Sequence, residues 1–563
     1  MRTILLLIVP LTLLSGRPAA NASEAMVATA NTHASEAAAA MLRQGGSAVD
    51  AAIAAQLVLS FVEPQSSGIG GGAFLLHFSG KDGRIEAYDG RETAPAGVTP
   101  QLFLQEGGEP MGFMAAVVGG RAVGVPGVIK MMELAHKTHG KLAWKDLFQP
   151  AITLAEEGFA VSPRMSGLIA RFSRLKGEPT TRDYFYVMRG GARERLPVGH
   201  ILKNPAYAET LRTIAENGAA GFYEGPVAKA IVEAVRGHAT NPGTMTLEDL
   251  AAYQAKRREA VCAPYRTYRV CGMPPPTSGG LTSLMILKML ERFDLAALKP
   301  GSLEAVHLIS EASRLAFADR GAYMADSDFV DVPVKGLLDP NYLSSRSALI
   351  DPAKAMARAE PGTPPGVEKK KTAIDDLTRP GTTHLSIVDA DGNAVSMTSS
   401  VEGGFGAHLM AGGFLLNNQL TDFSFRPERD GMMVANRVEP GKRPRSSMSP
   451  SLILKQDGAL FAAIGSPGGS RIIGYVTKAM IGLMDWNLTP QEAVNLPHHI
   501  NRNGKTDLEK GTSVAKLARQ LEKRGHQVQI RSLNSGLHGI RVTEQGLEGG
   551  ADPRREGTVV RVE

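Results

Sequence analysis

Between Asp351 and Gly381 the chain carries five prolines among charges and glycines, with little apolar content beyond short side chains. Such a stretch buries too little apolar surface to hold regular structure and reads as an exposed or poorly ordered tether. At Thr382 the character changes within one residue. Thr-Thr-His-Leu-Ser-Ile-Val leads through a turn at Asp391-Gly392 into Ala-Val-Ser-Met-Thr-Ser-Ser, which predicts a β-hairpin over Leu385–Ser400. Any fold for this chain has to accommodate a break in mid-sequence, directly before a rigid strand. The tether therefore marks a break in the chain rather than a simple border between domains.

The chain has 563 residues, 43% hydrophobic and 21% charged, enough for two globular lobes. Its 62 glycines cluster in short runs such as Gly70–Gly72, Gly403–Gly404 and Gly468–Gly469, marking backbone positions with special demands. The net charge of +6 is dispersed, its longest basic runs being Lys256–Arg258 and Lys369–Lys371, so nucleic acid is not an expected partner. Arg2, the apolar run Ile4–Leu14 and the small-x-small triplet Ala20-Asn21-Ala22 have the form of a signal peptide over residues 1–22. That run is too short to span a bilayer, so a periplasmic or secreted protein without a membrane anchor is expected. Two cysteines, Cys262 and Cys271, are either free or bridged to each other.

Periodicity and capping signals predict helices at Ser35–Gln44 and Ala51–Val62, the second preceded by a capping box of Ser47 and Asp50. A hairpin is expected from Ala73–Phe78 and Arg84–Tyr88, and further helices at Pro205–Asn217, Pro226–Val235, Leu303–Asp319 and Tyr475–Met484. Strands are expected near Gly413–Leu416, Ser451–Leu454, Leu460–Ile464, Val528–Arg531 and Ile540–Val542, with a surface helix at Ser513–Arg524. The sum is two sheets flanked by helices.

Four clusters carry candidate chemistry. A threonine hydroxyl needs a base, and cleavage after Gly381 would give Thr382 one in its own α-amine, whose pKa is about 7.7–8.0. Gly465-Ser466-Pro467-Gly468-Gly469-Ser470-Arg471, entered from an apolar strand, suits a nest of N–H groups for an oxyanion or carboxylate. Arg443–Pro450 sets paired hydroxyls between basic residues, fit for a carboxylate or for a polar loop cap. In Asn417–Phe423, Gln419 and Asp422 can accept from an ammonium group. His384 and His408 have no partner at ligand spacing, and His498-His499 reads as a loop, so no metal and no cofactor is expected.

Taken in order, Thr382-Thr383-His384, Asp391–Val395, Leu416–Gln419, Ser446–Pro450 and Gly465–Arg471 resemble the γ-glutamyltransferase (γ-glutamyltranspeptidase) family of N-terminal nucleophile hydrolases. Upstream, Gly68–Gly72, Arg91–Pro95, Val123–Gly127 and Met273–Gly280 are similar too, so the likeness spans almost the whole mature chain. The resemblance implies a four-layer αββα sandwich (α+β class) formed jointly by two fragments of one precursor, residues 23–381 and 382–563, cut between Gly381 and Thr382. It implies Thr382 as nucleophile toward γ-glutamyl amides such as glutathione, with Ser400 in support and water, an amino acid or a peptide as acceptor. By motif, Arg91, Ser446 and Ser447 would hold the substrate α-carboxylate, Gln419 and Asp422 its α-ammonium, and Gly468 and Gly469 the oxyanion. Glu402 stands where many relatives place Asn; it would favour an ammonium and repel a carboxylate. This departure makes a glutaryl-type (cephalosporin) acylase the alternative, followed by a binding protein that never matures. The segment 423–445 reads as shorter than the lid of well-known bacterial members, implying an open site.

Overall fold

The computed structural model describes residues 24–368 and 381–563; the expected signal peptide and the 369–380 part of the tether lie outside the described residues. Its centre is the expected hairpin. Thr382–Val388 pairs antiparallel with Ala394–Ser400 on one side and with Ala25–Thr29 on the other. These belong to a seven-stranded antiparallel sheet in the order Thr558–Val562, Ala25–Thr29, Thr382–Val388, Ala394–Ser400, Gly72–Phe78, Ile85–Gly90, Lys256–Arg258. A second, six-stranded antiparallel sheet runs Gly546–Ala551, His538–Thr543, Leu460–Gly465, Ser451–Leu454, Tyr268–Gly272, Val261–Tyr265.

Side chains alternate across the first sheet, and both faces are covered. Val27, Leu385, Ile387, Val395, Met397, Ala73 and Leu75 enter a core shared with the helices Thr32–Arg43, Ala48–Val62 and Val128–His139. Met26, Ala28, Ala394, Phe74 and Leu76 enter another, shared with the second sheet and the helices Gly279–Leu290, Leu303–Tyr323 and Ile472–Met484. The molecule is thus a mixed α/β structure. The helix Ala48–Val62, buried at all fifteen positions, starts with the expected capping box, and its Asp50 also accepts the N–H groups of Lys141 and Leu142.

Two expectations need correction, and the tether reading holds in part, since residues 351–368 are largely exposed. Residues 351–368 form no helix or strand, yet they are tied down: Met356 N–H donates to Glu311, Ala359 N–H to Asn503, and Gly362 N–H to Asp319. Prolines keep this segment out of a ladder, but its small side chains let its backbone dock on the helix Leu303–Tyr323. The surface helix at Ser513–Arg524 is a 3-10 turn, Ser513–Leu517, followed by a short α-helix, Ala518–Lys523. His499 opens a buried strand, His499–Asn501, rather than a loop, and His498 beside it is buried. The cysteine alternatives resolve as a Cys262–Cys271 disulfide between directly opposed strand positions. Among the described residues, no helix is long and apolar enough to cross a membrane.

Candidate active site

The antiparallel register that sets Thr382 opposite Ser400 creates the site. Their hydroxyls share a hydrogen bond at 3.1 Å, and Ser400 Oγ donates to the carbonyl of Gly381 at 2.9 Å. Ser400 Oγ also accepts the N–H of Glu402 at 2.9 Å, which fixes its rotamer. One hydroxyl therefore touches both the Thr382 hydroxyl and the peptide bond before it.

Thr382 and Ser400 form one wall of a cleft that also gathers Arg91, Glu402, Gln419, Asp422, Ser446, Ser447 and Gly469, with Met448 and Ile472 as its apolar part. Positions separated by more than 370 residues of sequence thus meet, because Arg91 follows a strand of the first sheet and Gly469 follows one of the second. Arg91 is fully buried; its Nη2 donates to Asp422 at 2.6 Å and its Nε to the carbonyl of Pro444 at 3.0 Å. Gln419 Nε2 donates to the same Asp422 oxygen at 2.7 Å. Arg91 Nη1 and Gln419 Oε1 are buried and make no hydrogen bond within the protein. Both residues line the cleft, which therefore offers donor and acceptor groups together, the pattern that an α-amino acid end satisfies.

Gly468 (φ 141°) and Gly469 (φ 62°) both lie at positive φ, and a Cβ on Gly468 would come within 2.6 Å of the Tyr475 ring. Gly468 is not among the cleft-lining residues, but it directly precedes Gly469, at the turn that opens the helix Ile472–Met484. Gly381 sits behind Thr382, in contact with the Ser400 hydroxyl.

A sequence profile described as Gamma-glutamyltranspeptidase matches residues 34–562. The chain belongs to the gamma-glutamyltranspeptidase family. It is 37% identical over 547 residues to the glutathione hydrolase proenzyme of Escherichia coli (strain K12), covering 95% of this chain and 91% of that protein. It is 36% identical over 554 residues to the Acylase ACY 1 proenzyme of Pseudomonas sp. (strain SE83), covering 96% and 94%. Among solved structures, the cephalosporin acylase from Bacillus halodurans superposes with a TM-score of 0.83 at 29% identity, covering 99% of both chains.

In this gamma-glutamyltranspeptidase-family chain several site residues escape motif reasoning. Arg555 Nη1 donates to the Thr382 carbonyl at 2.9 Å, and its Nε to the carbonyl of Ser535 at 2.6 Å, clamping the start of the strand. Arg320, on a helix whose apolar face suggests packing alone, donates to the Ser447 hydroxyl at 2.8 Å and to Ser278 at 2.7 Å. Asn418 Nδ2 donates to the Glu402 carboxylate at 2.7 Å, holding it at the cleft. Spacing carries no signal for Arg555 and Arg320, because each acts through a contact between distant segments, whereas Asn418 lies within the Leu416–Gln419 motif and only its contact with Glu402 goes unsignalled.

Glu402 itself lies at φ 76°, in the left-handed region where Gly and Asn sit most easily. Glu92 is buried behind Arg91, where burial pushes its carboxyl up to about 8 against the pull of Arg91, 3.6 Å away. Near neutrality Glu92 keeps its proton, and the Arg91 charge is directed to Asp422 and to whatever enters the cleft. Gly72 makes the room, since a Cβ there would lie 2.3 Å from a Glu92 oxygen.

Proposed function

We propose that this chain is the self-cleaving precursor of a γ-glutamyl transferase and hydrolase, acting on γ-glutamyl amides such as glutathione and needing no cofactor. One observation carries the reading: the Ser400 hydroxyl bridges the Thr382 hydroxyl and the Gly381 carbonyl at the wall of a cleft built around Arg91, Gln419 and Asp422. In the precursor, Thr382 Oγ1 attacks the Gly381 carbonyl while Ser400 polarises it. The C–N bond breaks, the amide nitrogen gains a proton, and Gly381 is carried as an ester on Thr382. Water hydrolyses that ester, freeing the Gly381 carboxylate and the Thr382 hydroxyl beside the α-amine already released.

The amine then serves as base for the same hydroxyl. Arg91, Ser446 and Ser447 receive the donor's α-carboxylate, and Gln419, Asp422 and Glu402 its α-ammonium. Thr382 attacks the γ-carbonyl, the N–H groups of Gly468 and Gly469 meet the developing oxyanion, and the leaving amine takes the proton. Water, an amino acid or a peptide then accepts the γ-glutamyl group from the ester.

The two sheets, each backed by a helical core, support the four-layer αββα arrangement of N-terminal nucleophile hydrolases. Fragments 23–381 and 382–563 would stay joined as a heterodimer, because both supply strands to both sheets. The pattern over residues 1–22 supports export to the periplasm or the medium. The shorter 423–445 segment supports an open site that admits bulky donors.

A glutaryl-type acylase is the second reading, favoured by the likeness to the Bacillus halodurans cephalosporin acylase over 99% of the chain. Against it, a glutaryl group has no ammonium, leaving the buried Gln419 Oε1 unanswered at the cleft. Steady-state kinetics with γ-glutamyl anilide and glutaryl anilide separate the two. The first reading predicts a higher kcat/KM for the amine-bearing donor; a preference for the glutaryl compound overturns it.

A further inference from the structure

Away from the cleft, the first sheet and a helix assemble a second polar cluster. His77 and Glu86 face each other across the strands Gly72–Phe78 and Ile85–Gly90, and His139 ends the helix Val128–His139 above them. One ligand atom from each of the three lies within 4.8 Å of the others. His139 Nε2 is 2.7 Å from Glu86 Oε2 and also 2.7 Å from the Tyr88 hydroxyl. The imidazoles of His77 and His139 stack at 3.7 Å, where two imidazolium charges would repel, so the neutral, metal-binding forms are favoured.

His77 is 4% exposed and Glu86 7%, and His77 Nδ1 is buried without a hydrogen-bond partner. Glu86 uses its other oxygen, Oε1, on the Arg257 guanidinium, which leaves Oε2 turned to the imidazoles. The pair His77–Glu86 is five residues along the strand from Gly72, whose register partner is Ser400, or about 17 Å from the catalytic wall.

We propose that His77, Glu86 and His139 form a binding site for a first-row transition-metal dication, separate from the γ-glutamyl cleft. Two imidazoles and one carboxylate suit zinc and its neighbours; calcium and magnesium prefer all-oxygen shells. Bound there, the ion clips the helix end to the hairpin and takes no part in turnover. Sequence spacing concealed the cluster, because its third ligand comes from a separate element.

Titration of the full-length processed protein with zinc chloride, followed by calorimetry and thermal melting, tests this. One equivalent per chain and a rise in Tm are expected. His139→Ala should weaken zinc binding at least tenfold and abolish the Tm rise, while leaving metal-free γ-glutamyl hydrolysis unchanged. Glu86→Gln, which also releases Arg257, should weaken zinc binding in the same way. Absence of saturable binding, or equal affinity in wild type and in both variants, overturns the proposal.

Discussion

At the scale of single residues, the site depends on hydroxyls and charges whose partners are set by burial. Ser400→Ala removes the donor to the Gly381 carbonyl, and we expect self-cleavage to slow by about 10²- to 10³-fold, the cost of losing one oxyanion-type donor. A time course of precursor disappearance on denaturing gels measures it; cleavage at the wild-type rate would remove Ser400 from the mechanism. Glu402→Gln keeps the shape and deletes the charge, so KM for a γ-glutamyl donor should rise about tenfold, as for one lost charge-assisted bond, with little change in kcat. Glu92 gives a pH prediction. It ionises near 4.5 when exposed but near 8 when folded, so between those values the folded state holds the extra proton. Stability from this group therefore falls as pH rises through that window and levels off above it. Glu92→Gln should flatten the Tm profile between pH 5 and 9, and an unchanged slope would refute the buried, protonated state.

At the scale of elements, capping and hairpin chemistry were legible in the residues. The Ser47–Asp50 box and the Asp391-Gly392 hairpin appear where expected, and Pro205–Asn217 begins and ends at the expected residues. Other strands were not legible. Ala25–Thr29 is buried on both faces, so no polar face interrupts it to give period two. Thr558–Val562 is placed by pairing with that distant partner and by contacts with the helix Thr32–Arg43, neither of which its own sequence shows. The tether is largely exposed as read, but its docking was not legible, because proline content reports the absence of a ladder whereas docking of residues 351–368 depends on acceptors such as Glu311 and Asp319, supplied elsewhere. Motif order located the cleft residues, yet Arg320 and Arg555 surface only once helices and sheets are in place. One element prediction follows from Asp50, which accepts three backbone N–H groups. Ser47→Ala should cost about 1 kcal/mol, and Asp50→Ala distinctly more, in chemical denaturation.

At the scale of the whole molecule, the Gly381–Thr382 bond lies at the very start of a central strand, outside its ladders. Thr382–Val388 is held between Ala25–Thr29 from one prospective fragment and Ala394–Ser400 from its own, and the second sheet is likewise shared. Severing the bond leaves those ladders and both cores intact, so the pieces should co-elute in native size-exclusion chromatography and separate only in denaturant. The most direct test is intact-mass analysis with N-terminal sequencing of the active protein, alongside Thr382→Ala. We predict two chains, the smaller beginning at Thr382, and a variant that stays whole and inactive. An active wild-type protein with the Gly381–Thr382 bond unbroken, or an alanine variant with full turnover, would contradict the account.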